Sequence, residues 1–163
     1  MSSTGFGYIS PTLFDGYFAN EQTTKDAWRN EYMHTGDLGR VDEEGFLYVV
    51  DRLKDMILSG GLNIYPKDIE DVIYTIPGVN DVAVIGIPDT KWGEAIHAIV
   101  VHGDSSKLSE DQIISVCTEK LARFQVPRAV EFRESLPRNP SGKILKRELR
   151  KEFWPQEDSS TAE

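Results

Sequence analysis

Apolar residues dominate positions 79–87 and 95–101, with the two-residue period of strands that are buried on at least one face. Pro88-Asp89 reads as the turn after the first of them. Residues 38–41 and 46–50 are shorter β-type runs, and Asp42-Glu43-Glu44-Gly45 joins them as a hairpin. Met56-Ile57-Leu58 predicts another short strand, followed by a tight glycine turn, Ser59-Gly60-Gly61-Leu62-Asn63. The period then becomes helical. Pro66 suits a first turn, where its missing N–H costs nothing. Asp68 and Glu70 follow where the helix dipole favours acids, and Ile69, Val72, Ile73 and Ile76 supply an apolar face before Pro77-Gly78. Ser109 predicts the N-cap of a second helix, with Ile113, Val116, Cys117 and Leu121 on one face. Residues 129–132 read as a short strand, and a loop over 136–142 leads to a basic helix over about 145–153. Residues 1–30 read as a loose lead-in, in which Tyr8, Phe14, Tyr17 and Phe18 need something to pack against. From residue 56 onward the order β, α, β, β, α, β, α predicts an α+β fold, a small three-stranded sheet with packed helices.

Composition narrows the class. A chain of 163 residues, 39% hydrophobic and 28% charged, has room for one domain or one domain with an extra lobe. No apolar run approaches the ~20 residues of a membrane-spanning helix, and the start lacks the basic and apolar stretches of a secretory signal. The single cysteine, Cys117, excludes an internal disulfide and any zinc site built on several thiolates, and no metal site is expected. A reducing cytoplasm is the expected compartment. The net charge of −9 is unevenly spread: residues 120–151 hold ten Lys/Arg against three Asp/Glu, so a basic stretch lies on an acidic chain. That stretch is either a solvated helix face or an anion site. The acidic remainder argues against nucleic-acid binding.

Three segments carry candidate chemistry. Pro137-Arg138-Asn139-Pro140-Ser141-Gly142-Lys143 contains a Gly-Lys pair, but the phosphate-loop pattern needs glycine where Pro137 stands and Ser or Thr where Ile144 stands. What remains is a lysine on a glycine-bent loop, a mobile charge suited to phosphate or carboxylate. Tyr32-Met33-His34-Thr35-Gly36-Asp37 places a carboxylate, able to accept from two neighbouring hydroxyls, beside a sharp bend. Asp51-Arg52-Leu53-Lys54-Asp55, followed by the Gly60-Gly61 turn, would let a ligand pass close to the backbone. Taken alone, each segment reads as an ordinary element: an exposed lysine at a helix start, a capped turn entering a strand, and a tight hairpin.

In this order, however, the segments resemble the C-terminal portion of the adenylate-forming enzymes: acyl-CoA synthetases, aryl-CoA ligases, peptide-synthetase adenylation domains and firefly-type luciferases. The resemblance runs from Leu13-Phe14-Asp15-Gly16-Tyr17 to Phe153. It is carried by His34-Thr35-Gly36-Asp37, Asp51-Arg52-Leu53-Lys54-Asp55, Gly60-Gly61-Leu62-Asn63-Ile64-Tyr65-Pro66-Lys67-Asp68-Ile69-Glu70, Trp92-Gly93-Glu94 and Asn139-Pro140-Ser141-Gly142-Lys143.

The resemblance implies a carboxylic acid–CoA ligase that uses ATP and Mg²⁺ to form an acyl-adenylate and then transfers the acyl group to CoA. Under it, Lys143 matches the catalytic lysine, Asp37 and Arg52 the ribose contacts of the nucleotide, and Lys54 the hinge. Gly60 and Gly61 match the turn beside the pantetheine tunnel. Trp92, Phe124 and Arg128 match contacts to the nucleotide end of CoA, while Val126 is apolar where some aryl-CoA ligases place a basic residue. The implied organisation is a β-hairpin remnant of a large N-terminal domain over 1–51, a hinge over 52–55, a C-terminal lid domain over 56–154 and a polar tail over 155–163. The implied partners are the missing N-terminal domain, which would hold most of the ATP and Mg²⁺ contacts, the carboxylic acid substrate, and a protein lysine acetyltransferase acting on Lys143. The chain alone is expected to be inactive. A stand-alone lid-type module docking on a separate large domain or carrier protein remains open, as does a peptide-synthetase adenylation fragment, although Ser59-Gly60-Gly61-Leu62-Asn63-Ile64-Tyr65-Pro66 is of the CoA-ligase type.

Overall fold

A computed structural model describes residues 4–103 and 108–154, and the expected polar tail over 155–163 lies outside the described residues. The chain divides into two units, Met1–Lys54 and Asp55–Glu163.

The first unit is built on a long strand, β3 (Tyr32–Val41), paired antiparallel with β1 (Thr4–Tyr8), β2 (Trp28–Arg29) and β4 (Leu47–Arg52). Asp42 makes the predicted β3–β4 turn: its carboxylate accepts from the amides of Glu44 and Phe46, at 3.0 and 2.9 Å. The bond from Phe46 does most to hold that carboxyl below its ordinary range. The lead-in carries more structure than its composition predicts. It forms β1 and a helix, α1 (Glu21–Ala27), whose N-cap Asn20 accepts from the Thr23 amide. The helix was illegible because it is short and none of its residues is buried. Among the described residues Leu38 is the single buried large apolar side chain of this unit, whereas Phe18, Val41, Phe46, Leu47, Tyr48 and Val49 are exposed. This sheet has almost no core of its own.

The second unit has one. β7 (Val79–Asp89) and β8 (Gly93–His102) pair antiparallel along their whole length. The other edge of β8 takes β5 (Ile57–Ser59) at Gly93 and then β9 (Ala129–Phe132), in parallel, from His97 to Val100. β6 (Leu62–Ile64) pairs with β5, so the sheet holds five strands rather than about three. The residues read as a glycine turn are the tip and return of that extra hairpin. Similarly, β7 runs through Pro88 and Asp89, because the turn lies at Thr90-Lys91-Trp92.

Alternation along β7 and β8 sends side chains to both faces, as buried strands require. Val82, Val84, Ala98 and Val100 face α2 (Pro66–Tyr74) and α3 (Glu110–Lys120), meeting Ile69, Ile73, Ile113 and Cys117. Ala83, Ile85 and Ile99 face the opposite way, onto Leu136 and onto Leu149 of α4 (Lys146–Lys151). Ser109 caps α3 in a reciprocal box with Gln112. Cys117 is a core residue, and burial pushes its thiol up to about 11. Among the described residues no helix is long and apolar enough to cross a membrane.

A candidate groove and a lysine loop at opposite ends of one hairpin

In the first unit, Asp37 and Arg52 stand opposite each other in the β3–β4 register, and the Arg52 Nε lies 2.9 Å from Asp37 Oδ1. Residues 15 apart in sequence are thus brought together by strand pairing. The Thr35 hydroxyl accepts the Asp37 amide at 3.0 Å, and the Leu53 amide donates to the Gly36 carbonyl at 2.8 Å. The carboxylate is fixed by one guanidinium contact and keeps oxygen lone pairs for a ligand. Lys54 is exposed and ends this unit. The residue after it, Asp55, is gripped from α4: Arg150 donates to its carbonyl at 2.9 Å and pairs with its carboxylate at 3.3 Å.

In the second unit, four of the five residues matched to CoA contacts line one groove of about 810 Å³: Gly60, Trp92, Phe124 and Arg128. Gly61 is beside the groove but does not line it. The turn explains the choice of glycine. Gly60 and Gly61 have φ of +58° and +80°, a region that costs other residues ~1–2 kcal/mol. The Gly60 amide donates to the Trp92 carbonyl at 2.8 Å, and a Cβ on Gly60 would stand 2.8 Å from the Trp92 ring. Trp92 is held in turn by Asp89, whose carboxylate accepts from the Trp92 and Lys91 amides and is kept below its ordinary range chiefly by the first of these bonds. Lys91 and Arg128 place their cations 4.8 and 5.6 Å from the Trp92 ring centroid.

Gly60→Ala is therefore expected to lose ~1–2 kcal/mol from backbone strain alone and to displace the indole. Gly61→Ala, which meets nothing within 4 Å, should show the backbone cost only. Urea unfolding and the NMR shift of the Trp92 indole N–H separate the two variants.

Lys143 does not line this groove. It sits on a stiff loop. The Asn139 carboxamide oxygen accepts from the Lys143 amide at 2.8 Å, Asn139 donates its own amide to the Lys143 carbonyl at 2.9 Å, and Arg138 bridges to Ile144 in a short β contact. The Arg138 guanidinium donates to the Gly142 carbonyl and pairs with Asp81 on β7. Asp81 is steadied by the Tyr74 hydroxyl at 2.7 Å; burial, then this bond, raises the Tyr74 phenol above its ordinary value. Lys143 is exposed, and its ammonium has no ion-pair partner among the described residues. The loop is moored near Asp81 and the groove is built beside Asp89. At ~3.3 Å per residue these ends of β7 are about 25 Å apart.

The basic stretch proves to be mostly internal wiring. Arg133 holds Glu131 and Glu152, at 2.5 and 2.7 Å, Arg138 holds Asp81, and Arg150 holds Asp55. Arg133 is the main cause of the lowered carboxyl values of both its partners. The residue that sequence reasoning missed is Glu70. It is buried, and its Oε1 accepts from Lys146 Nζ at 2.7 Å and from the Val84 amide at 2.8 Å. This bond ties α2, β7 and the start of α4 together, three residues after Lys143. A glutamate early in a helix looks like a dipole partner, and nothing local marks a lysine 76 residues away as its mate.

Comparison with known proteins agrees with the motifs. Residues 68–143 match the AMP-binding enzyme C-terminal domain. The chain is 52% identical over 144 residues to a long-chain-fatty-acid–CoA ligase, FadD13, of Mycobacterium tuberculosis, covering 88% of this chain and 28% of that protein. It is 51% identical over 141 residues to a 2-succinylbenzoate–CoA ligase of Bacillus mycoides, covering 86% of this chain and 29% of that protein. Among solved structures, ATP-bound MatB from Rhodopseudomonas palustris matches with a TM-score of 0.87 and 37% identity, over 93% of this chain and 30% of that one. The chain thus spans less than a third of the length of these relatives. Over most of its length the chain is similar to the C-terminal part of adenylate-forming CoA ligases, and its residues 68–143 carry the match to their C-terminal domain.

Proposed function

We propose that the chain is the lysine-bearing C-terminal part of an ATP-dependent carboxylic acid–CoA ligase and works with a large domain that binds ATP and the acid. The observation that carries this reading is the pair of sites on one small unit: an exposed lysine on a braced loop, without an ion-pair partner among the described residues, and an aromatic, cationic groove at the other end of the same hairpin. The nearly coreless first unit supports covalent attachment to a larger domain over a free-standing module, since its exposed β3–β4 side chains need a cover.

In the first step the substrate carboxylate attacks the α-phosphorus of ATP and pyrophosphate leaves. Two anions repel as they approach, and the Lys143 ammonium between them offsets that repulsion and stabilises the charge that grows on phosphorus. Asp37 accepts from the ribose hydroxyls, and Arg52 sets its orientation. In the second step the thiol sulfur of CoA attacks the acyl carbonyl and AMP leaves. The groove at Gly60, Trp92, Phe124 and Arg128 holds the nucleotide end of CoA, with Gly61 in the turn alongside. The units exchange these two ends at Lys54, the hinge, because Arg150 clamps Asp55 to the second unit and leaves the dihedral change to the residues before it.

Among the described residues no group of three or more His, Cys, Asp and Glu side chains is gathered to hold a metal ion. Mg²⁺ would be held by the nucleotide phosphates and the large domain, where it would neutralise charge. The exposed Lys143 ammonium is also open to a lysine acetyltransferase, which would remove the charge that adenylation needs. The cytoplasm, with its ATP and CoA, is the matching compartment. The expected result is that this chain, given ATP, Mg²⁺, CoA and a panel of carboxylic acids, releases no pyrophosphate, and that the polypeptide joining it to the large domain does. Pyrophosphate release by the chain alone at a rate typical of such ligases, or none from the joined polypeptide, overturns the reading.

A further inference from the structure

The groove contains a cation that the roles above do not use. Arg123 lines it alongside Trp92, Phe124 and Arg128, and no carboxylate is among the lining residues. Arg123 opens a single 3-10 turn, Arg123–Gln125. Gln125 closes that turn on itself, donating its amide to the Ala122 carbonyl at 2.8 Å and accepting the Ala122 amide on its side chain at 3.3 Å. The next wall residue, Val126, is uncharged.

Arg123 is unusual among the arginines of this unit. Arg133, Arg138 and Arg150 are spent on carboxylates, and Arg128 is drawn to the Trp92 face and to Asp89. Arg123 has no hydrogen bond or ion pair among the described residues. A planar guanidinium beside an aromatic wall, with no acid to neutralise it, suits a ligand that carries an aromatic base and a phosphate. The fork of N–H donors meets two phosphate oxygens at once. CoA carries one phosphomonoester, on the ribose that bears its adenine, and a phosphomonoester is close to doubly charged at neutral pH.

We propose that Arg123 is the phosphomonoester-binding residue of this groove, so that the groove selects the 3′-phosphorylated adenosine end of CoA over the same end without that phosphate. This deepens the CoA reading above and rests on it.

The test is a calorimetric titration of the chain with CoA and with dephospho-CoA at low salt. The wild-type chain is expected to bind CoA about tenfold more tightly, within the range of a charge-assisted hydrogen bond, with the preference shrinking as salt is raised. Arg123→Gln, an exposed change outside the core, should bring the ratio close to one by weakening CoA alone, and Arg123→Lys should keep part of it. Equal binding of the two probes by the wild type, or an undiminished ratio in Arg123→Gln, overturns this inference and leaves the CoA site standing. Binding of neither probe at millimolar concentration overturns the CoA reading of the groove itself.

Discussion

Changing Lys143 to alanine, in the polypeptide that joins this chain to its large domain, is expected to slow acyl-adenylate formation by ~10²–10³, the usual effect of removing one charge-stabilising donor from a transition state. The geometry makes the prediction sharper than a general loss. Lys143 is moored through Arg138 to the Asp81 end of β7, whereas the groove is built at the Asp89 end. Thioester formation from a preformed acyl-adenylate should therefore be nearly unchanged. Acid-dependent exchange of pyrophosphate into ATP reads the first step, and CoA consumption with supplied acyl-adenylate reads the second. Equal losses in both would mean that the lysine supports the fold or both reactions, and the assignment of Lys143 to adenylation would fall.

The second large effect is on stability. Glu70→Ala strands the Lys146 ammonium and the Val84 amide inside the unit, and breaking a buried pair from one side typically costs ~3–5 kcal/mol. Urea unfolding followed by tryptophan emission should show that loss at an unchanged denaturant slope, the sign that compactness is preserved. The double variant Glu70→Leu with Lys146→Met should recover most of it, because an apolar pair of similar volume avoids the desolvation penalty. A loss below ~1 kcal/mol in Glu70→Ala would place the pair among solvated surface bridges.

These two residues also mark how far a single chain of letters can be read. The β7–β8 hairpin and α3 are plain in the sequence because period and capping are local: Val82, Val84, Ala98 and Val100 alternate, and Ser109 stands three residues before Gln112. α1 and β6 were not plain. One is a short helix without a buried face and the other is three residues on the return of a glycine turn, too little for either period to register. The Glu70–Lys146 bond leaves no periodic trace at all, since a long-range ion pair is written in two places that look ordinary separately. The candidate site divides in the same way. Motif order brought forward Lys143, Asp37 and the glycine turn. Arg123 becomes visible only when a 3-10 turn carries it onto the wall that Trp92 shares.

One consequence follows from the length of β7. Under the proposed function, a unit whose lysine loop is moored at one end of this strand and whose groove is built at the other would not present both to the same reacting atoms. Activation and capture would then take turns, in the manner of a revolving door. While the anhydride is being made, the thiol donor would have no seat from which to intercept it, and once the door turns, the cation that would help reverse the first step would be carried away.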